Sequence, residues 1–334
     1  MVKKISVVGC GAFGYALALL LSKTHSQIEV YAYDVVDEVI NTLKETKHHP
    51  YFHKDCEISS NLIPTASKEE CLKDADVVLL AVPAQYLRGA LESIKELVPQ
   101  EAILLNVSKA LEKSTNKRMS EIISEFLSNP TATISGGMLA GDVAHGLPVG
   151  ADIGCTDESA LEVLKELFKP TTVHVEITTD IVGIEFAGAF KNLIAIGGGI
   201  IDGLKFGTSA KAFFIAQTLR EVELLAIKLG AKDETFHTAS NAWMGDLMTT
   251  CFGNSRNRLF GEMIGSGMTV EEAIKDLESQ KKHAEGYVTL KLVHDLLEEN
   301  ELKRDFVSLL YGVVFENKDA KEEFSKISLI QNEI

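Results

Sequence analysis

Short apolar runs alternate with helically spaced segments over the first half of the chain. Lys4–Val8, Ile28–Tyr33, Ala75–Val82, Ala102–Val107, Thr131–Ser135, Val149–Gly154 and Val173–Glu176 read as buried strands. Between them, Tyr15–Leu21, Val36–Glu45, Gln85–Leu97, Arg118–Leu127 and Glu158–Leu167 read as helices, and Ser67-Lys68-Glu69-Glu70 has the form of a capping box. This alternation predicts an α/β fold with a doubly wound parallel sheet. Beyond Asp180 the pattern becomes helical. Thr208–Leu229 is a long amphipathic helix closed by Gly230, Thr269–Glu272 is a second capping box, and Tyr287–Asn300 reads as a surface helix. Gly245–Cys251 reads as a polar turn. Two domains follow, residues 1–180 with the sheet and residues 181–334 all-helical. No repeat, long linker or low-complexity tract interrupts them.

The stretch Ile181–Gly203 departs from its surroundings. It is nearly all apolar and lacks proline, so a buried helix is expected. Its Gly197-Gly198-Gly199 run weakens a helix by ~1 kcal/mol per glycine relative to alanine. Another helix or a ligand must therefore approach the backbone there. Lys191, followed by Asn192, is a cation in the middle of this stretch. Buried, it needs an anionic partner or a chemical task; alternatively its amine snorkels to the surface. The stretch is long enough to span a bilayer, but Glu185, Lys191 and Asp202 argue against that.

Directly after the first strand comes Gly9-Cys10-Gly11-Ala12-Phe13-Gly14, and an apolar helix follows. This is GxGxxG in the context that gives it meaning. Gly9 permits the tight turn, Gly11 lets a pyrophosphate reach the backbone, and Gly14 lets helix and strand pack closely. The helix N-terminus offers N–H groups and partial positive charge to phosphates. Asp34 ends the second strand 20 residues past Gly14, where an acid is expected to accept from a ribose hydroxyl. The N-terminal domain is thus of Rossmann type. Asp34 has Tyr33 and Val35 as neighbours and no arginine, which favours NAD over NADP. Pro83 and Lys109 fall at carboxyl ends of strands, where such sheets bind ligands; Lys109 is either an anion contact or an exposed lysine. His48, His49 and His53 flank Pro50 in a surface or domain-edge loop, and their spacing does not suggest a metal site.

Net charge of -15 argues against a nucleic-acid or anionic-membrane binder. The five cysteines are scattered and form no CxxC pair, so neither a disulfide framework nor a structural zinc is expected. A strand beginning within the first five residues leaves no room for a targeting peptide, and a cytoplasmic location is expected.

A dinucleotide loop, then a helical half with a lone lysine in a buried helix, resembles the NAD(P)-dependent sn-glycerol-3-phosphate dehydrogenase family. The resemblance runs nearly the full length, through GCGAFGYALA, AVPAQYLR, SKALE, GIEFAGAFKNLIAIGGGIIDGL, GDLMTTC, NSRNRLFG and AEGYVT. It implies interconversion of dihydroxyacetone phosphate and sn-glycerol 3-phosphate, serving phospholipid synthesis or redox balance, and a homodimer. It implies Lys191 as proton donor and acceptor, with Asn192, Asp246 and Thr250 around it. Lys109, Gly136, Lys191, Asp246, Ser255, Arg256 and Asn257 fall on substrate positions. Gly9, Gly11, Ala12, Phe13, Gly14, Asp34, Pro83, Lys109, Ala140, Arg256 and Glu285 fall on cofactor positions. Ala110, Gly137, Met138 and Asp142 are departures from the family pattern, as is Gly207-Thr208-Ser209 where the family often has glycine-x-asparagine.

The residues suit this chemistry on their own terms. Carbonyl reduction needs a proton at oxygen, which an ammonium supplies while stabilising the developing alkoxide. In the oxidation direction the amine must be neutral; burial favours this, Lys109 and Arg256 would favour it at the positions the resemblance implies, and Asp246 would oppose it there. Arg256, beside Ser255 and Asn257, offers a planar fork to a phosphate. Two other readings exist. A 3-hydroxy-acid dehydrogenase or ketopantoate-type reductase shares the two-domain plan but has no need of the Ser-Arg-Asn segment. A catalytically silent NAD-binding sensor would need the glycine loop but not Lys191, Asp246 and Arg256.

Overall fold

The computed structural model describes residues 2–280 and 283–330. The chain divides into two compact units, Met1–Glu185 and Phe186–Ile334.

The first unit is built on one eight-stranded sheet in the order β3-β2-β1-β4-β5-β6-β7-β8. Its strands are β1 (Lys4–Val8), β2 (Glu29–Tyr33), β3 (Leu62–Thr65), β4 (Val77–Leu80), β5 (Ile103–Asn106), β6 (Thr131–Ser135), β7 (Val149–Cys155) and β8 (Val173–Thr178). The intervening helices are α1 (Ala12–Thr24), α2 (Asp37–Thr46), α3 (Lys68–Leu72), α4 (Ala84–Ile94), α5 (Met119–Ser124), α6 (Ala140–Ala144) and α7 (Glu158–Phe168). Alternate strand residues feed two cores. Ile5, Val7, Val77, Leu79 and Leu105 pack with α1 and α7 on one face. Val8, Val78, Leu80 and Leu104 pack with α4 and α5 on the other. This two-sided burial is why the strands read as continuous apolar runs.

Two features depart from the expected parallel sheet. β7 pairs antiparallel with β6, while every other pairing is parallel. The connecting helix α6 has five residues and so advances about 8 Å. A five-residue strand such as β6 advances about 17 Å. About a dozen residues join the two strands, the lower limit for a parallel crossover, and here β7 returns in the reverse sense. The second is β3, which the sequence pattern does not reveal. Pro64 lies within it, tolerated because β3 is an edge strand. Ser67 caps α3 by accepting from Glu70 N, but the Glu70 carboxylate accepts from Thr65 instead of closing a capping box.

The helix α8 (Ile181–Leu204) carries the boundary between units within its first turns, at Glu185 instead of Asp180. Asp180 caps it, its Oδ1 accepting from Gly183 N at 2.9 Å. Glu185 is held by Ser120 N at 2.8 Å, Ser120 Oγ at 2.5 Å and Arg118 Nη1 at 2.8 Å. Burial still pushes its carboxyl above the ordinary range.

The second unit continues with α9 (Thr208–Lys228), α10 (Asp246–Phe252), α11 (Arg256–Gly265), α12 (Val270–Ser279), α13 (Glu285–Glu299), α14 (Asp305–Phe315) and α15 (Ala320–Ser325). Gly245–Cys251, expected as a turn, is helical: a π-turn over Asn241–Gly245 runs directly into α10. Ser240 caps the π-turn and Trp243 anchors it in the core against Phe236. By length and composition α8 could cross a membrane, but the apolar window that qualifies is wholly buried. The glycines of α8 answer the question their sequence raises: another helix makes the close approach. A Cβ on Gly199 would stand 2.0 Å from Arg258 O, and one on Gly203 2.4 Å from Glu262 O. Across the contact, a Cβ on Gly261 would stand 1.9 Å from Ile196 O. Thus α8 and α11 touch backbone to backbone, and larger residues would force them apart.

Candidate active site

In the first unit, the sheet order reverses between β1 and β4, and the glycine loop leaves β1 beside that switch point. Gly9 has φ +104° and no room for a side chain, since its Cβ would stand 2.6 Å from Ala81 O. At Gly14 a Cβ would meet Gly9 O at 2.1 Å, so this glycine seats α1 on the turn. At Gly11 a Cβ would meet nothing within 4 Å. Two glycines are thus enclosed and the middle one faces open space, the arrangement a pyrophosphate needs. Ala12 and Phe13 open α1, and Phe13 packs partly against the core. Pro83 precedes α4 as its N-cap, after β4, and Ala140 is the first residue of α6.

Asp34 lies half-buried just past β2. Its Oδ2 accepts from Cys10 N at 2.7 Å and its Oδ1 from Val36 N at 2.9 Å. Each oxygen keeps lone-pair capacity for a hydroxyl. The carboxylate therefore ties the glycine loop to β2 as well as offering a ribose contact.

The loop has a second support that sequence reasoning missed. His49 is buried, not at the surface, and its Nε2 lies 2.9 Å from Cys10 O. His53 Nε2 lies 3.0 Å from Ala12 O. A carbonyl only accepts, so both rings carry a proton on Nε2. Burial lowers the His49 pKa, keeping that ring neutral. Their proximity to aromatic Tyr51 and Phe52 was the available signal: a wholly solvated loop has little use for it.

Lys109 lies past β5, half-buried, with Nζ 2.7 Å from Gly136 O. This joins the loops after β5 and β6, placing two expected substrate positions together. Gly136 is required there, since a Cβ would stand 2.3 Å from Gly150 O. Met138 is buried in the core.

In the second unit, Lys191 is buried in α8 and does not snorkel, and Nζ is ion-paired with Asp246 Oδ1. Asp246 opens α10, one residue past the π-turn. Such turns often mark functional positions because they re-aim side chains. Thr250, one turn on, donates to Asp246 O at 2.7 Å, with Asp246 Oδ1 at 3.5 Å. Asn192 Oδ1 accepts from Asn257 Nδ2 at 2.9 Å, and Asn257 Oδ1 accepts from Gly286 N at 3.0 Å. This chain pins the N-termini of α11 and α13 to the α8 turn that carries Lys191. Ser255 caps α11, accepting from Arg258 N at 3.1 Å. Arg256, the first residue of that helix, is exposed and makes no ion pair among the described residues. Glu285 opens α13 and is exposed. Lys191, Asn192, Asp246, Thr250 and Asn257 are thus gathered by direct contacts, with Ser255 and Arg256 adjoining Asn257 in sequence.

A second buried lysine, Lys211, was not anticipated. It pairs with Asp202 at 2.6 Å, and Asp202 also receives Arg258 at 2.7 Å. Cys251 lies near both lysines, yet burial pushes its thiol up to about 12.

Two family models match the chain. That of the NAD-dependent glycerol-3-phosphate dehydrogenase N-terminus covers residues 4–161, and that of the C-terminus covers residues 180–325. The chain belongs to this dehydrogenase family. A glycerol-3-phosphate dehydrogenase [NAD(P)+] of Clostridium botulinum is 33% identical over 98% of this chain and 97% of its own length. The crystal structure of the glycerol-3-phosphate dehydrogenase from Coxiella burnetii superposes with TM-score 0.87, at 26% identity over 98% of each chain. A ketopantoate reductase of Ralstonia eutropha shares the fold, with TM-score 0.60 at 15% identity over 98% of this chain and all of its own. The dehydrogenase family therefore replaces the reductase reading, and a nicotinamide cofactor comes with it.

Proposed function

We propose that this protein interconverts dihydroxyacetone phosphate and sn-glycerol 3-phosphate, with NAD(H) preferred over NADP(H). The observation that carries the reading is the buried Lys191–Asp246 pair, placed one residue before the Asn192–Asn257 bond that fixes the helix bearing Arg256. A dinucleotide whose pyrophosphate the glycine loop would hold, with Asp34 toward a ribose, would supply the hydride chemistry at the carbonyl carbon. The residues do the rest. Lys191 Nζ gives a proton to the carbonyl oxygen as it becomes an alkoxide, and takes it back in the reverse direction. Asp246 holds the ammonium in place, and Thr250 buttresses the turn that carries Asp246. Arg256, at a helix N-terminus, supplies a fork and a favourable dipole to the phosphate.

The NAD preference rests on Asp34. A 2′-phosphate beside that carboxylate would be repelled, and the exposed neighbours Val35 and Val36 offer it no cation. The intact Lys191–Asp246–Thr250 cluster disfavours a silent sensor, which would have no use for it. Initial rates with NADH and NADPH against dihydroxyacetone phosphate test the whole reading. Turnover with kcat/KM higher for NADH supports it; no turnover with either cofactor overturns it.

A further inference from the structure

Asp55, Cys56 and His145 meet on the wall of a surface cavity of about 550 Å³ in the first unit. They come from two segments 90 residues apart, and no motif in the sequence joins them. The thiol sulfur, an imidazole nitrogen and a carboxylate oxygen all lie within 4.8 Å of one another. Nothing in the dehydrogenase chemistry uses them.

The surroundings of these three residues are those of metal ligands. His145 Nδ1 faces Gly141 O at 2.7 Å, so Nδ1 carries the proton and Nε2 points at Asp55, 2.7 Å away. A backbone carbonyl on the far nitrogen is the support that metal-binding histidines commonly have. Cys56 is buried and fixed by its backbone: its N–H donates to His53 O at 2.9 Å, and its carbonyl accepts from Tyr15 Oη at 3.2 Å. Asp55 and His145 are exposed and free to adjust around it. Ligand atoms around tetrahedral zinc stand roughly 3.5 Å apart, so the imidazole and carboxylate must open slightly and the thiol close in. Lys23 also lines the cavity and opposes a cation, but Glu57 lines it too and adds a second carboxylate.

We propose that Asp55, Cys56 and His145 form a binding site for a divalent cation of the zinc class. Cys56 Sγ, His145 Nε2 and an Asp55 oxygen supply three ligands, and the cavity leaves the fourth position to water. A mixed sulfur, nitrogen and oxygen set selects zinc-like ions over magnesium or calcium. On binding, the Cys56 thiol proton and the proton between His145 and Asp55 leave to solvent. The site also has a structural reach: the segment that supplies Asp55 and Cys56 carries His53, which braces the glycine loop at Ala12.

The test uses the full chain, freed of metal by chelation, with Co²⁺ as a spectroscopic probe and Zn²⁺ in calorimetry. Co²⁺ is expected to give a near-ultraviolet thiolate-to-cobalt band, and Zn²⁺ to bind with one equivalent. Cys56→Ser is expected to abolish the band. Cys56→Ser and His145→Gln should each weaken Zn²⁺ binding by more than about tenfold, the lower end of what loss of an outer-sphere partner costs. His145 is exposed, so His145→Gln should fold and bind NADH as the parent does, which separates ligand loss from misfolding. Absence of the thiolate band, or Zn²⁺ binding that persists unchanged in either variant, overturns the proposal.

Discussion

The Asn257 side chain donates to Asn192 at 2.9 Å, and Asn192 adjoins Lys191 on α8. One hydrogen bond therefore sets where α11, with Arg256 at its start, begins relative to the turn that carries the ammonium. The bond is buried at both ends, where losing one partner strands the other at a cost of about 1–3 kcal/mol.

Lys191→Met tests the mechanism. The variant is expected to fold, to bind NADH through the intact glycine loop, and to lose kcat by ~10²–10⁴-fold. Asp246 is then left without its cation, so a loss of stability accompanies the loss of rate. Single-turnover hydride transfer, with NADH affinity measured alongside, separates the two. Near-parental transfer in the folded variant removes Lys191 from the chemistry.

Arg256→Lys tests phosphate anchoring. A point charge does not reproduce a bidentate fork, so KM for dihydroxyacetone phosphate should rise severely while thermal stability stays the same. The residue is exposed and makes no ion pair among the described residues, which is why stability should not move. An unchanged KM excludes it from the site.

Cofactor choice is addressed at Asp34 and Val35. An arginine for the 2′-phosphate fits at Val35, which is 80% exposed. Asp34→Ala with Val35→Arg is expected to raise the NADPH-to-NADH ratio of kcat/KM. It should also cost stability, because Cys10 N and Val36 N lose their acceptor. A ratio equal to the parent's rejects Asp34 as the discriminating residue.

Gly199→Ala probes the helix contact. With Arg258 O only 2.0 Å from the added carbon, α8 and α11 must separate. Overpacking of this kind costs ~1–3 kcal/mol, and displacement of α11 should raise KM for the phosphate substrate as well. Urea denaturation and steady-state kinetics read the two effects; a variant with neither effect contradicts the close contact.

Glu221 gives a pH dependence of stability. Its carboxylate accepts from Phe306 N and Val307 N at the start of α14, yet burial raises its pKa to about 7. The folded state thus holds this proton more tightly than the unfolded chain does. The contribution is full below the unfolded value of 4.5 and is lost as pH rises through about 7. Up to about 3 kcal/mol is at stake across that window. Denaturant midpoints should fall from pH 5 to pH 8, and Glu221→Gln should flatten the fall. Equal slopes in both proteins count against the shift.

What sequence shows of this protein is what lies close together along the chain. The glycine loop, Asp34 and the buried character of α8 are local and were legible. The Lys191–Asp246 pairing was expected only through family resemblance, because the partners lie on different helices. The π-turn before Asp246 went unseen because its glycine and polar residues imitate a loop, while Trp243 holds it in the core. β3 went unseen because a proline is tolerated only at an edge, and edges are a property of the assembled sheet. His49 and His53 read as part of a surface or domain-edge loop because their partners, the Cys10 and Ala12 carbonyls, lie 39 and 41 residues earlier in the chain.

Where helices are spaced by side chains, a rotamer change can lengthen or shorten the gap. At Gly199, Gly203 and Gly261, α8 and α11 meet with no side chain to turn, only hydrogen against backbone. The span from the Lys191 amine to the start of the arginine-bearing helix is consequently a fixed length. A substrate with its phosphate one carbon nearer to or farther from the carbonyl would meet a ruler, not an adaptable pocket.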